Sequence, residues 1–310
     1  MSDTVQSAPV EARTSMDPGA PMPGVATGVV YLDGRYVRRD EARVSVDDRG
    51  FLFGDGAYEV TRAIRGRLFE GARHARRLAR TLRGLDIALP DDQIAALDAV
   101  ALRLLRENGL EDGEAAVYLQ VTRGTAVPRT HHFPPAGTHP TVYAAATRFV
   151  PPSALRERGA SVVTVADVRW ARCDLKTVNL LPNAMAKQRA VAAGADEALF
   201  VRDGMLMEGS HSNAFAVLDG VLRTAPATNY ILAGITRDVV LELAREAGIP
   251  VLEYPLLAAE VPLASELFMT STTSDVLPVV RVDGRPVGDG APGPVARRLY
   301  EMLAARMYAS

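Results

Sequence analysis

The chain predicts an α+β protein of two α/β-type domains, on three observations. Strand-like runs are paired around Asp-Gly dipeptides, at Asp33-Gly34, Asp203-Gly204 and Asp219-Gly220, which favour tight hairpin turns. Segments of helical period stand in blocks and do not alternate strictly with strands, so a purely parallel sheet is excluded. Pro151-Pro152 interrupts the periodic segments near the middle of the 310 residues and divides them into halves.

Residues 1–26 are rich in Ser, Pro, Gly and Ala without periodicity, lack the basic start and apolar run of a signal peptide, and read as a disordered extension. An N-terminal α/β domain is expected over 27–147. It opens on the hairpin VVYLDGRYV. The glycines of DRGFLFGDGAYEV, Gly50, Gly54 and Gly56, match no dinucleotide fingerprint and allow a tight backbone path into a strand. His74–Leu85 carries Leu78, Leu82 and Leu85 at helical spacing; Asp92–Asn108 repeats the pattern with Ile94, Leu97, Ala101, Leu104 and Leu105 before Gly109. The strands AAVYLQVTRG and TVYAAATRF follow, and 148–153 reads as a linker.

The second domain is expected over 154–310. SVVTVADVRW is a strand, WARCDLKTVNLLPN is irregular, and a helix runs from about Asn183 to Ala193. Two hairpins precede a helix at Thr236–Ala247 that is stopped by Gly248 and Pro250. ELFMT is a strand, and RRLYEMLAARM lies in the last helix.

Composition narrows the function. Thirty-five basic residues against 37 acidic ones leave a net charge of -2, with no general attraction to nucleic acid or an anionic membrane surface. No apolar run is long enough to span a membrane. A single cysteine, Cys173, suits a reducing cytoplasm, and neither it nor the histidines show metal-ligand spacing, so no metal is expected. Nearly all basic residues are arginine; Lys176 and Lys187 are the two lysines. Coding bias is one cause, but arginine replaces lysine in an ion pair and cannot replace it in a Schiff base, so each surviving lysine is a candidate.

Lys176 lies between Leu175 and the apolar Val178, Leu180 and Leu181, surroundings that favour the neutral, nucleophilic amine; a surface lysine is the alternative. Glu208 at the end of the strand GMLM is placed to pair with a protonated ring nitrogen, or is a turn residue. Gly234-Ile235-Thr236 opens a helix whose free amides suit an anion, Thr270–Ser274 (TSTTS) offers hydroxyls, and Arg77 offers a full charge. The competing readings are an N-cap, a turn and a solvated face. Arg129 with His131 and His132 in VPRTHHFPP forms either a carboxylate clamp or a loop over a sheet. Lys187 reads as a surface residue of its helix.

The ordered set DRGFLFGDGAYEV, HARRL, VTRG with PRTHHFP, RCDLKTVNLL with AKQ, MEGSHSNAF, ILAGITRDVV and LFMTSTTSDVLPV resembles the class IV pyridoxal-phosphate aminotransferases, and within them the D-amino-acid aminotransferases, over almost everything after the N-terminal extension. The resemblance implies pyridoxal 5'-phosphate between the two domains of each subunit of a homodimer. It makes Lys176 the aldimine-forming lysine and proton carrier of a two-stage, ping-pong transamination between a D-amino acid such as D-alanine and a 2-oxo acid such as 2-oxoglutarate. It gives Glu208 to the pyridine nitrogen, Leu232 to the ring face, and Arg77, Ile235, Thr236, Ser271 and Thr272 to the phosphate end. Tyr58, Arg129 and His131 would trap the substrate carboxylate, the latter two coming from the neighbouring subunit.

Departures from the family pattern bear on substrate choice. The loop between Arg123 and Arg129 is one residue longer, His211 replaces a common serine, Pro182 follows the lysine segment, and Arg62 is similar in position to an arginine that serves substrate in branched-chain relatives. The alternatives are a branched-chain L-amino-acid aminotransferase, 4-amino-4-deoxychorismate lyase, and a binding protein without catalysis.

Overall fold

The structure is a computed structural model that describes residues 28–309; the extension expected over 1–26 lies outside them. The first sheet contains β1 (Val29–Leu32), β2 (Arg35–Arg38), β3 (Gly56–Ile64), β4 (Arg67–Leu68), β5 (Glu114–Thr122) and β6 (Val142–Arg148), in the order β2-β1-β6-β5-β3-β4 and antiparallel throughout. Long antiparallel registers, such as Gly56 opposite Thr122 through Ile64 opposite Glu114, leave one face apolar. Helices α1 (Arg49–Phe53), α2 (Gly71–Gly84) and α3 (Asp91–Glu107) belong to the same half, and α2 and α3 cover that face.

Spacing explains the covering. In α2 the residues at 74, 77, 78, 81 and 82 are buried, a single helical face on which Leu78 and Leu82 meet Ala57, Val121 and Val142. In α3, Ile94, Ala101, Leu104 and Leu105 are buried. Each leucine so enclosed stabilises the fold by roughly 1.5–3 kcal/mol. Helix α2 starts at Gly71, three residues before the predicted start, because the turn after β4 carries the chain onto the sheet through Glu70 with φ 53°. The short α1 gave no sequence signal, since it contains Gly50. It is fixed by Asp48, whose side chain accepts from the Gly50 N–H, and by Arg49 on Asp55.

The second sheet has ten strands: β7 (Ala160–Ala166), β8 (Glu197–Arg202), β9 (Met205–Gly209), β10 (Asn213–Leu218), β11 (Val221–Thr224), β12 (Val251–Glu253), β13 (Leu256–Leu257), β14 (Glu266–Ser271), β15 (Asp275–Val282) and β16 (Arg285–Pro286). Neighbours run β12-β11-β10-β14-β15-β7-β8-β9-β13, β16 pairs with β15, and β9 also meets β10 through Glu208 opposite Asn213, so six strands close a ring. Helices α4 (Ser153–Arg158), α5 (Leu181–Ala192), α6 (Ile235–Glu246) and α7 (Pro294–Tyr308) complete this half. Its core has two main clusters, an aliphatic one with Ala214, Ala216, Leu267 and Met269, and one with the stacked rings of Phe215 and Phe268, 5.0 Å apart, beneath α6 and α7.

Four Asp-Gly dipeptides turn hairpins, the three predicted and a fourth at Asp283-Gly284; each Asp has φ of 46–51° and each Gly φ of 76–85°. Two successive positive φ values define the type I′ turn that matches strand twist. Strand β15 was not evident because Pro278 interrupts DVLPVVRV; its parallel partner β7 lies more than a hundred residues away in the chain.

Ion pairs join the halves. Buried Arg62 from β3 holds Glu114 and Asp275, and Arg156 of α4 holds the other Asp275 oxygen at 2.9 Å. Arg306 of α7 reaches Glu70 at 2.8 Å. The lysine segment also adds to the first sheet: Tyr58 N–H donates to Lys176 C=O and Val178 N–H to Gly56 C=O, both at 3.0 Å. Among the described residues no helix is long and apolar enough to cross a membrane, and no three His, Cys, Asp or Glu side chains group as metal ligands.

Candidate active site

A cavity of about 360 Å³ opens between the two sheets. Of the eleven residues to which the resemblance gives a catalytic, cofactor or substrate role, it gathers nine: Tyr58, Arg77, Lys176, Glu208, Leu232, Ile235, Thr236, Ser271 and Thr272. They come from β3, α2, the segment before α5, the end of β9, the loop before α6, the α6 N-terminus and the end of β14.

Lys176 is half-buried and flanked by the buried Leu175 and Thr177, so its open side is the cavity. Its Nζ lies 4.2 Å from the centroid of the Tyr58 ring, within cation–π range. Tyr58 stacks in turn on Tyr118 at 5.7 Å, and burial, with Tyr58 and Tyr143 adding, pushes the Tyr118 hydroxyl up to about 12. The ring beside the lysine is therefore backed by a neutral phenol across the ordinary pH range.

Glu208 is a caged carboxylate. One oxygen meets Arg169 Nη1, while the other accepts from Asn213 Nδ2 and the Leu232 N–H, each at 3.1 Å. Burial pushes its carboxyl above the usual range, and Arg169 opposes that shift. Arg169 is itself held by Asp167 through Nε and Nη2, both at 2.9 Å, and lies over the Phe200 ring at 4.2 Å. Sequence reasoning missed Arg169. No spacing rule links it to Glu208 across 39 residues, and the scarcity of lysine that drew attention to Lys176 makes arginines uninformative.

At the far end, Ile235 and Thr236 open α6 without any side chain capping it from Gly234, leaving first-turn amides toward the cavity. Gly234 is required there, because a Cβ would lie 2.1 Å from Asn213 Oδ1. Arg77 is buried, not solvated as one reading allowed; Nε and Nη2 hold Glu59 at 2.7 and 2.8 Å, and Nη1 donates to Ala233 C=O at 3.0 Å. Burial alone would raise the Glu59 carboxyl, but Arg77 and His74 outweigh it and hold it at about 2. Thr270 Oγ1, at the same end, is buried without a partner among the described residues.

This donor set fits pyridoxal phosphate: helix amides, hydroxyls and a guanidinium gather at one end for a phosphate, an unpartnered hydroxyl stands among them, and a buried carboxylate and an amine lie elsewhere on the walls.

Two predicted residues lie elsewhere. Arg129 and His131 are exposed on the loop after β5 and share the Phe53 ring, the guanidinium 4.3 Å and the imidazole 5.7 Å from its centroid. Arg49 ties the loop by donating to Thr130 C=O at 2.8 Å. The structure corrects the substrate role suggested for Arg62. That side chain is 2% exposed, lies outside the cavity and is consumed by Glu114 and Asp275. Lys187 is not a plain surface lysine either, for its Nζ bonds Asp196 C=O and lies 3.6 Å from Glu197. His211 lines the cavity.

Comparison with known proteins accords with this geometry. The Amino-transferase class IV family pattern matches residues 56–282. The chain is 40% identical over 272 residues to a D-alanine aminotransferase of Staphylococcus haemolyticus and 41% identical over 274 residues to one of Bacillus licheniformis, in each case over 88% of this chain and 95% of the relative. Among solved structures it is similar to the T.th. branched-chain amino acid aminotransferase complexed with N-(5'-phosphopyridoxyl)-L-glutamate, with a TM-score of 0.80 and 30% identity, covering 91% of this chain and 95% of that one. It is also similar to the branched-chain aminotransferase from Thermoproteus uzoniensis, with a TM-score of 0.79 and 28% identity over 90% and 94%.

Proposed function

The chain belongs to the class IV aminotransferases, and from that premise we propose that it moves the amino group of a D-amino acid onto a 2-oxo acid, with D-alanine and 2-oxoglutarate as the pair. The observation that carries the reading is the convergence of nine residues from distant segments on one cavity.

Pyridoxal phosphate, the family's cofactor, supplies a carbonyl that takes up the substrate nitrogen and a ring that accepts the electron pair of the broken bond. Arg77, the Ile235 and Thr236 amides, Ser271 and Thr272 would hold its phosphate, Leu232 its ring face and Glu208 its ring nitrogen. Glu208 would serve there as an acceptor, since a buried carboxylate paired with Arg169 favours a proton on a facing nitrogen. Lys176 would hold the cofactor through its amine, and its Nζ, when free, is the base placed to take and return the substrate's α-proton. Tyr58, beside Nζ, positions it.

The substrate carboxylate is taken by Tyr58 with Arg129 and His131 of a second subunit, which makes the active form a homodimer. The exposure of Arg129 and His131 outside this chain's cavity supports their use across an interface. A planar guanidinium and an imidazole donor suit a carboxylate. The ion-paired burial of Arg62 removes the residue that favoured a branched-chain L-substrate.

The test is a half-reaction: the visible absorbance of the cofactor-loaded protein is followed after adding D-alanine, and separately L-leucine, with no oxo acid. D-alanine should bleach the absorbance. Bleaching by L-leucine alone would overturn the D-specific assignment.

A further inference from the structure

Two residues that stood out in the sequence, the second lysine and the histidine in place of a serine, meet at one buried carboxylate. Glu197, the first residue of β8, has a side chain 4% exposed. One of its oxygens accepts from the Ala198 N–H at 2.7 Å and from Ser210 Oγ at 2.6 Å; the other contacts His211 Nδ1 at 2.7 Å, with Lys187 Nζ 3.6 Å away. Burial would raise this carboxyl, yet the His211, Ser210 and Ala198 contacts hold it at about 2, so a charged acceptor faces the imidazole.

The consequence is directional. The two nitrogens of an imidazole lie on opposite edges of the ring, so fixing Nδ1 on the buried oxygen turns Nε2 outward. The His211 side chain is 49% exposed, it lines the cavity that holds Lys176 and Glu208, and Nε2 has no partner among the described residues. With Nδ1 held by the carboxylate, the imidazolium form of the ring presents its free Nε2–H at the wall of the cavity.

We propose that His211, oriented by Glu197, is a specificity-determining residue whose Nε2–H receives the distal carboxylate of a dicarboxylic substrate, an acidic amino acid or its 2-oxo acid. The inference rests on the aminotransferase reading of the cavity and deepens it by naming the residue that selects the dicarboxylic partner. The Tyr58, Arg129 and His131 clamp assigned above to the α-carboxylate leaves the other end of a five-carbon diacid to a further donor, and His211 stands on the cavity wall with Nε2 unpartnered among the described residues. A serine at the same position would present a neutral hydroxyl on a shorter side chain, whereas an imidazolium N–H on a carboxylate is charged on both sides and is the stronger bond.

The experiment uses the cofactor-loaded protein, its His211→Ser variant and its His211→Arg variant. Half-reaction kcat/KM is measured for D-glutamate and D-alanine, and binding of glutarate and of butyrate, which carry no amino group and do not react, is measured by calorimetry. In His211→Ser the D-glutamate to D-alanine ratio should fall about 10- to 100-fold, with glutarate binding weakened more than butyrate binding. In His211→Arg, which supplies an N–H donor to a carboxylate, the ratio should stay within about threefold of the parent. A ratio unchanged in His211→Ser would overturn the proposal and leave His211 as a cap on Glu197. Equal weakening of glutarate and butyrate would also overturn it, by assigning His211 to the α-carboxylate. Should no D-amino acid bleach the parent protein, the D-substrate reading fails separately, and the two dead-end acids still decide the role of His211.

Discussion

Replacing Glu59 by Gln tests whether the phosphate end of the cavity is braced by a buried ion pair. The carboxylate is almost fully enclosed, holds Arg77 through both its oxygens and shares one of them with His74 Nδ1 at 2.8 Å. Its carboxyl is held at about 2 in the folded protein against an ordinary 4.5, and at about 1.4 kcal/mol per unit the difference stabilises the fold by about 3 kcal/mol. A folded-state value below the unfolded one makes this contribution complete above pH 4.5, and it is lost as pH falls toward 2. Glu59→Gln removes it and leaves Arg77 as a buried cation with a neutral partner, so the loss near neutral pH should be about 3–5 kcal/mol. Urea unfolding of both proteins at pH 5 and pH 3 isolates the carboxyl, because the other acidic groups are common to the pair. The stability gap should narrow by about 2 kcal/mol over that interval. A gap below about 1 kcal/mol at pH 7, or one that does not change between pH 5 and pH 3, would refute the account of Arg77 as a pre-neutralised, braced cation.

Arg169→Leu should lower stability by about 3–5 kcal/mol and weaken cofactor retention, because Glu208 is left as an uncompensated buried charge; adding Glu208→Gln should restore stability in a double-mutant cycle, and additive losses would count against the cage. Burial pushes the Cys173 thiol up to about 11, so a disulfide reagent should modify it at pH 8 about 100-fold more slowly than an exposed thiol; labelling at the ordinary rate would show that the segment before Lys176 opens freely.

Much of the architecture was legible because it depends on local chemistry. Asp33-Gly34, Asp203-Gly204 and Asp219-Gly220 need only two residues to define a turn, and the leucines of α2 and α3 reveal their buried faces at helical spacing. Strand β15 escaped, since what makes DVLPVVRV a strand is pairing with β7 and β14. In the cavity, residues that differ chemically from their surroundings were found: a rare lysine, a hydroxyl run, a helix opening. Those that act by holding another residue were not. Glu59 on Arg77, Arg169 on Glu208 and Glu197 on His211 are ordinary charged residues in sequence and acquire meaning through pairing at separations of 18, 39 and 14 residues. Arg62 shows the converse error, a charged residue that suggested substrate and proved to be a joint between the halves.

The backbone stitch between β3 and the lysine segment has a mechanical consequence. With Tyr58 N–H on Lys176 C=O, Val178 N–H on Gly56 C=O and Ala57 opposite Thr177, the main chain that bears the amine travels with the sheet that bears Tyr58. A rocking motion of one half against the other, which opens and shuts clefts in many two-part enzymes, would here have to unzip two hydrogen bonds at the reacting group itself. The floor of the cavity is thereby tied to the first sheet, while Leu181, Pro182, Asn183 and His211 line it without belonging to that stitch.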